Sequence, residues 1–235
     1  MANDGEELRI LSAGAVKTGA AARAEDFGHK RGLKVEITFA TAPKLRQLIE
    51  SGQGGADVII APVAAMAAFE NKGQIVAGSA HEIGSVKAAV VVWDGAPMPD
   101  ISSAEAFKAA VLAADSLVYN QASSGLYIEK LMVRLGIAAE LAAKTRRTPT
   151  GGAVMELLAA NRNAGEIGFG QITEIRVYDG KGSKLVGPLP ADIGNITTYA
   201  AGVAAVSGRQ DLAAELVGDL TSDEAREVFF KTGVE

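Results

Sequence analysis

Four short stretches carry residue types suited to holding an anion with no metal or cofactor. They are Ser12-Ala13-Gly14-Ala15, Phe39-Ala40-Thr41-Ala42, Asn120-Gln121-Ala122-Ser123-Ser124-Gly125 and Pro149-Thr150-Gly151-Gly152-Ala153. Each places small residues, hydroxyls or both where an apolar run gives way to a helical pattern. A helix start offers unpaired N–H groups and a partial positive charge, so it binds anions without lysines. Small side chains let a ligand reach that backbone, and Ser or Thr adds a hydroxyl donor. Any one stretch also reads as an ordinary N-cap. The case for a site rests on their number, two in each half of the chain.

Other chemistries are poorly supplied. There are no cysteines, which excludes disulfides and thiolate metal sites. The two histidines are far apart: His29 lies in Gly28-His29-Lys30-Arg31-Gly32, which reads as a helix end, and His81 precedes Glu82 in a connection. Neither a His-based metal site nor a Ser-His-Asp triad is supported, so no metal, cofactor or catalytic group is expected. The net charge of −5 comes with no basic block, which argues against nucleic acid as a partner. It leaves an anion ligand open, because local donors set the binding field. Lys144, Arg146 and Arg147 form the densest positive cluster. They read as a solvated strand edge, with a phosphate contact as the sharper alternative.

Short apolar runs alternate with longer helical patterns, the βαβ rhythm of a parallel sheet. Strands are expected at 8–12, 34–39 and 56–61, with helices at 15–29, 43–51 and from Pro62 to about 71. Pro62 suits a helix start, where its missing N–H costs nothing. A long β-branched strand, 83–93, ends in the turn Asp94-Gly95-Ala96-Pro97. Helix 103–113, strand 116–119, helix 124–135, strand 145–148, helix 152–160 and strand 166–170 follow. Strands at 184–189 and 198–206 and helices at 211–219 and 222–231 complete the chain. Asp223 and Glu224 favour the last helix start. No Pro- or Ser-rich linker is present, which suggests that the chain crosses more than once between two lobes. The expected lobes are 1–82 with 199–235, and 83–198, with two hinge crossings.

No run of about 18 apolar residues exists, so no membrane insertion is expected. The start is acidic and polar and does not read as a secretory signal, which leaves two expectations. A periplasmic protein is expected if this is a processed mature form, and a cytoplasmic one if the chain is native as written.

The order LRILSAGAV, VEITFATAPKLRQLIESG and ADVIIAP resembles the opening of periplasmic molybdate-binding proteins. The later stretches SLVYNQASSGLYIEKLMVRLGI, TGGAVMELL and GEIGFGQITEI match in order and spacing, so the resemblance spans about Leu8 to Phe230. It implies an α/β type 2 periplasmic binding protein fold, two doubly wound lobes around a ligand cleft. By resemblance, Ser12 with Ala13 and Thr41 with Ala42 give the first hydroxyl and amide contacts. Ser123 and Ser124 lie at one further helix start, and Gly152, Ala153 and Val154 at another. The family's last contact is a Tyr after a Gly-apolar-apolar turn. Here Gly168-Phe169-Gly170-Gln171 puts Gln171 in its place. An amide both donates and accepts, which suits a carboxylic or hydroxy acid as well as an oxyanion. Lys17 and Arg46 stand as extra contacts beyond that core.

The first functional reading is a solute-binding protein, a monomer that captures a small oxyanion or carboxylate for an ABC transporter permease. The alternative is an isomerase of a small polycarboxylate, because aconitate isomerase is similar to this family. Proton transfer needs a positioned base, for which Lys17, Tyr127 and Glu174 are the candidates. A metabolite sensor that reports to a partner is a third reading. Tyr119, Tyr127 and Tyr199 could donate hydroxyls, but read more simply as core residues with satisfied O–H groups.

Overall fold

The computed structural model describes residues 7–52 and 54–235, so the acidic start read above lies outside the described residues. The chain divides into two compact units: everything up to Val86 together with Thr197–Glu235, and Lys87–Ile196.

In the first unit β1 (Glu7–Ala13) pairs in parallel with β2 (Lys34–Ala40) and β3 (Val58–Pro62). The intervening helices are α1 (Lys17–Arg31) and α2 (Ala42–Glu50), and α3 (Val63–Asn71) follows β3. Val58 to Ala61 are all buried, as expected of an interior strand covered on both faces. On its other side β3 meets β9 (Ile196–Val203) antiparallel, Val58 opposite Val203. Gly32 at φ 66° closes α1 by donating its N–H to the Gly28 and His29 carbonyls, a left-handed position that suits glycine. Helices α9 (Gln210–Leu220) and α10 (Asp223–Thr232) complete this unit. Ser222 caps α10 by accepting the Ala225 N–H at 3.2 Å.

The second unit begins within β4 (His81–Trp93) and contains α4 (Ala104–Ala113), β5 (Ser116–Asn120), α5 (Ser123–Arg134), the four-residue α6 (Ala138–Leu141) and β6 (Thr145–Thr148). It continues through α7 (Gly151–Asn161), β7 (Glu166–Gln171), α8 (Ile172–Tyr178) and β8 (Ser183–Pro188). Its strand order is β8-β4-β7-β5-β6, with β5 parallel to β6 and β7, and β4 antiparallel to β7 and β8. Phe107 of α4 meets Phe169 of β7 edge to face, centroids 6.0 Å apart, within the core.

Several details differ from the sequence reading. His81 opens β4 instead of lying in a connection. Strand β9 ends at Val203, and Val206 is 80% exposed. Helices α6 and α8 were not expected. Four and seven residues are too short to display a helical period, and in α8 the exposed Val177 interrupts it. Lys144, Arg146 and Arg147 do sit beside or on β6, the last strand of its sheet. Lys144 donates to the Leu112 and Ala114 carbonyls, and Arg147 pairs with Glu129.

The terminal helices are fastened by Arg23, a buried residue of α1. Its guanidinium reaches both carboxylate oxygens of Asp219 in α9, at 2.6 and 3.2 Å, and lies 3.7 Å from Glu224 in α10. Removing one partner of such a pair strands the other. Arg23→Met is therefore expected to destabilise the protein by about 3 kcal/mol, measured as a lower urea midpoint with an unchanged slope.

Candidate functional site

The four junctions fall where strands hand over to helices, two in each unit. In the first unit Ser12 is fully buried next to the end of β1, and its hydroxyl donates to the neighbouring Ala13 carbonyl at 3.1 Å. Extended Ala13 then leads through a 3-10 turn, Gly14–Val16, into α1, with no capping side chain at either start. Thr41 stands in the cap position of α2 with extended backbone (φ −69°, ψ 154°), yet its hydroxyl makes no capping bond. Ala42, which opens the helix, is half-buried. The Lys17 ammonium lies over the Phe39 ring, 5.6 Å from its centroid, a cation–π contact just before this junction. Arg46 is exposed on α2.

In the second unit Asn120, buried at the end of β5, organises the turn into α5. Its Oδ1 accepts the N–H of Ala122 at 2.9 Å and of Gly125 at 3.2 Å, while its Nδ2 donates to Ser124 Oγ at 3.1 Å. Gly125 is required here, since a Cβ would fall 1.6 Å from the Asn120 carbonyl oxygen. Ser124 is buried in this network, whereas Ser123 is half-buried at the first position of α5. At α7 the cap is Thr150, whose Oγ1 takes the Ala153 N–H at 3.3 Å. The Ala153 amide is thus already engaged, and the Val154 side chain is wholly core.

Around the start of α7 lie groups that the sequence reading did not connect. A Cβ on Gly151 would meet Glu174 Oε2 at 2.1 Å, and one on Gly152 would meet the Tyr178 hydroxyl at 2.8 Å. Both glycines therefore admit α8 side chains against the helix start. Glu174 is three residues beyond Gln171, the cap of α8, and its carboxylate accepts the Gln171 backbone N–H. That is half of a capping box, a signal legible in the sequence had α8 been recognised. Glu174 is half-buried, and its surroundings still strip enough water to push its carboxyl up to about 7; the Gln171 N–H offsets only part of this. Burial likewise raises the Tyr178 phenol, whose O–H donates to Glu156 at 3.2 Å. Gln171 itself is 2% exposed, and among the described residues neither its Oε1 nor its Nε2 has a hydrogen-bond partner. An unpartnered buried amide costs about 1–3 kcal/mol, which a ligand could relieve.

Of the other tyrosines, Tyr127 is occupied: its hydroxyl donates towards the Ile193 and Gly194 carbonyls and accepts from Arg134. Tyr119 and Tyr199 are core residues. Among the described residues no group of His, Asp and Glu is arranged to hold a metal, and no helix is long and apolar enough to cross a membrane.

The pattern of the family described as bacterial extracellular solute-binding protein matches residues 8–235. An aconitate isomerase from a Pseudomonas species is 27% identical over 236 residues, covering 97% of this chain and 87% of that protein. Among solved structures, the periplasmic molybdate-binding protein of Azotobacter vinelandii superposes with a TM-score of 0.76 at 18% identity, covering 97% of this chain and 98% of that one. The sulfate-binding protein SubI from Mycobacterium tuberculosis gives 0.76 at 16% identity, with 97% and 86% covered. The tungstate ABC transporter protein from Geobacter sulfurreducens gives 0.73 at 15%, with 96% and 98% covered. At these identities the likeness establishes the shared fold, a type 2 periplasmic binding protein fold.

Two expectations follow from the second unit. Asn120→Ala removes the acceptor of two turn amides and should cost about 2–3 kcal/mol of stability, read by denaturant titration. For Glu174, the folded protein holds a proton between the ordinary carboxyl value of 4.5 and about 7 that the unfolded chain has released. Stability from this group therefore falls as pH rises through that window. Glu174→Gln should leave stability unchanged at about pH 4 and raise it by about 1–2 kcal/mol at pH 8, the full shift being discounted for solvent contact. Unfolding curves at both pH values check this.

Proposed function

The chain belongs to the bacterial extracellular solute-binding protein family, and from that premise we propose that it captures a small anion, a molybdate-like oxyanion or a small carboxylate, for delivery to an ABC-type permease. The observation that carries this reading is the set of junctions themselves. The helices after β1 and β2 start without a side-chain capping bond, and in the helix after β5 the cap residue supplies none, Asn120 taking the Gly125 N–H. Their first turns are donors of the kind that bind anions. The residues proposed as donors are Ala13, Thr41, Ala42 and Ser12, whose hydroxyl would turn from the Ala13 carbonyl, in the first unit and Ser123, Ser124, Gly152 and Gln171 in the second. Lys17 and Arg46 add positive charge. Gln171 bears on ligand class, because its Oε1 acceptor calls for a donor on the ligand. A fully ionised tetrahedral oxyanion has none, whereas a hydroxy acid or a partly protonated carboxylic acid does.

A second reading, isomerisation of a small polycarboxylate by proton transfer, draws on the aconitate isomerase relative and on Glu174. Of the three candidate bases, the Tyr127 hydroxyl is committed to carbonyls and the Lys17 ammonium to the Phe39 ring. Glu174 alone has a carboxyl raised to about 7, near the value that suits general acid–base work at neutral pH.

A thermal-shift panel of molybdate, tungstate, sulfate, phosphate, citrate, cis-aconitate and trans-aconitate tests both. An anion at about 100 times its Kd adds roughly 2.7 kcal/mol and moves the midpoint by several degrees. The double variant Ser12→Val/Thr41→Val is expected to unfold cooperatively and to lose that shift. A retained shift would remove those hydroxyls from the site. Conversion of trans- to cis-aconitate, followed by chromatography and lost in Glu174→Gln, would favour the isomerase.

A further inference from the structure

The start of α7 is unusual for an anion site because an acid side chain stands against it. Glu174 Oε2 lies where a Cβ on Gly151 would come within 2.1 Å of it, so the carboxylate occupies the space that the glycine leaves open. The same residue belongs to the cap of α8 through the Gln171 N–H, and Gln171 carries the buried, unpartnered amide. An anion arriving at these amides meets either a carboxylate, which repels it, or a carboxylic acid, which can donate to it.

We propose that Glu174 is a specificity-determining, proton-bearing residue: in its acid form it donates a hydrogen bond to an anion seated at the start of α7, so that ligand capture takes up a proton. This rests on the anion-binding reading above. The step is an acid–base equilibrium, one proton passing from solvent to the Glu174 carboxylate as the anion binds.

The surroundings permit such a change of charge without a competing partner. Helix α8 packs against α7, β7 and β8. The titratable groups on those elements are Glu156 on α7, Glu166 on β7 and Lys184 on β8, with Arg176 and Tyr178 on α8 itself. Glu156 is engaged by the Tyr178 hydroxyl. Glu166 sits at the opposite end of β7, held by Ser116 at 2.6 Å and Asn161 at 2.9 Å. Lys184 and Arg176 are exposed. None of these forms an ion pair with Glu174 among the described residues, and the raised carboxyl value comes from burial. A second negative charge beside it raises the value further. Above about pH 7, affinity should then fall by up to tenfold per pH unit until the bound-state value is reached.

The test is calorimetry on the whole chain across about pH 6 to 8.5, in buffers of different protonation enthalpy, with molybdate, citrate and trans-aconitate as separate titrants. In the wild type, binding should weaken with rising pH and take up close to one proton per anion at the alkaline end. In Glu174→Gln, whose amide donates at every pH, the uptake should vanish and affinity should be flat. Binding without proton uptake in the wild type overturns the proposal and leaves the anion-binding reading intact, even if the variant does not fold. The same uptake in wild type and Glu174→Gln overturns it as well. If none of these three nor any other anion of the thermal-shift panel binds at any pH, both readings fall.

Discussion

A small anion surrenders its water only where donors already stand in place, and this constraint underlies the proposed site. Burying charge without compensation costs several kcal/mol, and long flexible cations would have to be ordered at the moment of binding. Backbone amides at helix starts are ordered by folding itself. The strands β1, β2 and β5 each end in residues small enough to expose the following helix start. Within the first unit, the pairing of β1 with β2 and β3, with Leu8, Ile10, Val58 and Ile60 buried, holds the ends of β1 and β2 in register.

Holding a turn open to a ligand while keeping it rigid requires internal hydrogen bonds, and the two junctions of the second unit meet this differently. At β5–α5 a single buried amide, Asn120, gathers the turn, and Gly125 leaves room for the Asn120 backbone carbonyl to come close. At β6–α7 the cap Thr150 closes on Ala153, and the two glycines beyond it are used to admit side chains from α8. The first turn is closed by its own residues. The second is completed by a helix distant in sequence, and there the protein places an acid and an unpartnered amide.

That arrangement gives the β6–α7 junction a dependence on protonation that the hydroxyl-lined junctions of the first unit lack. The Ser12 and Thr41 hydroxyls and the amides beside them keep one state across ordinary pH. Glu174 does not, because burial brings its carboxyl to about 7. The costs of the orphaned Gln171 amide and of the desolvated acid fall on residues three apart, at the cap and in the first turn of α8.

Much of this was legible in the sequence. Apolar runs gave the nine strands to within a few residues, and Ser, Thr and Gly at their ends marked the helix starts, because hydrophobic period and capping chemistry are local properties. The proposal of a site made of backbone donors with little side-chain charge rests on the same local signals. The packing of Glu174 was not legible there, since α8 is too short to show a period and the acid's surroundings depend on Gly151, twenty-odd positions earlier. Gln171 was visible as a departure from a family pattern, but its lack of partners was not. Sequence by itself determined which segments become strands and helices and where donors cluster. The tertiary structure decided which of those donors are already engaged and how far a carboxyl is desolvated, because hydrogen-bond satisfaction and dielectric environment are set by neighbours brought together only when the chain folds.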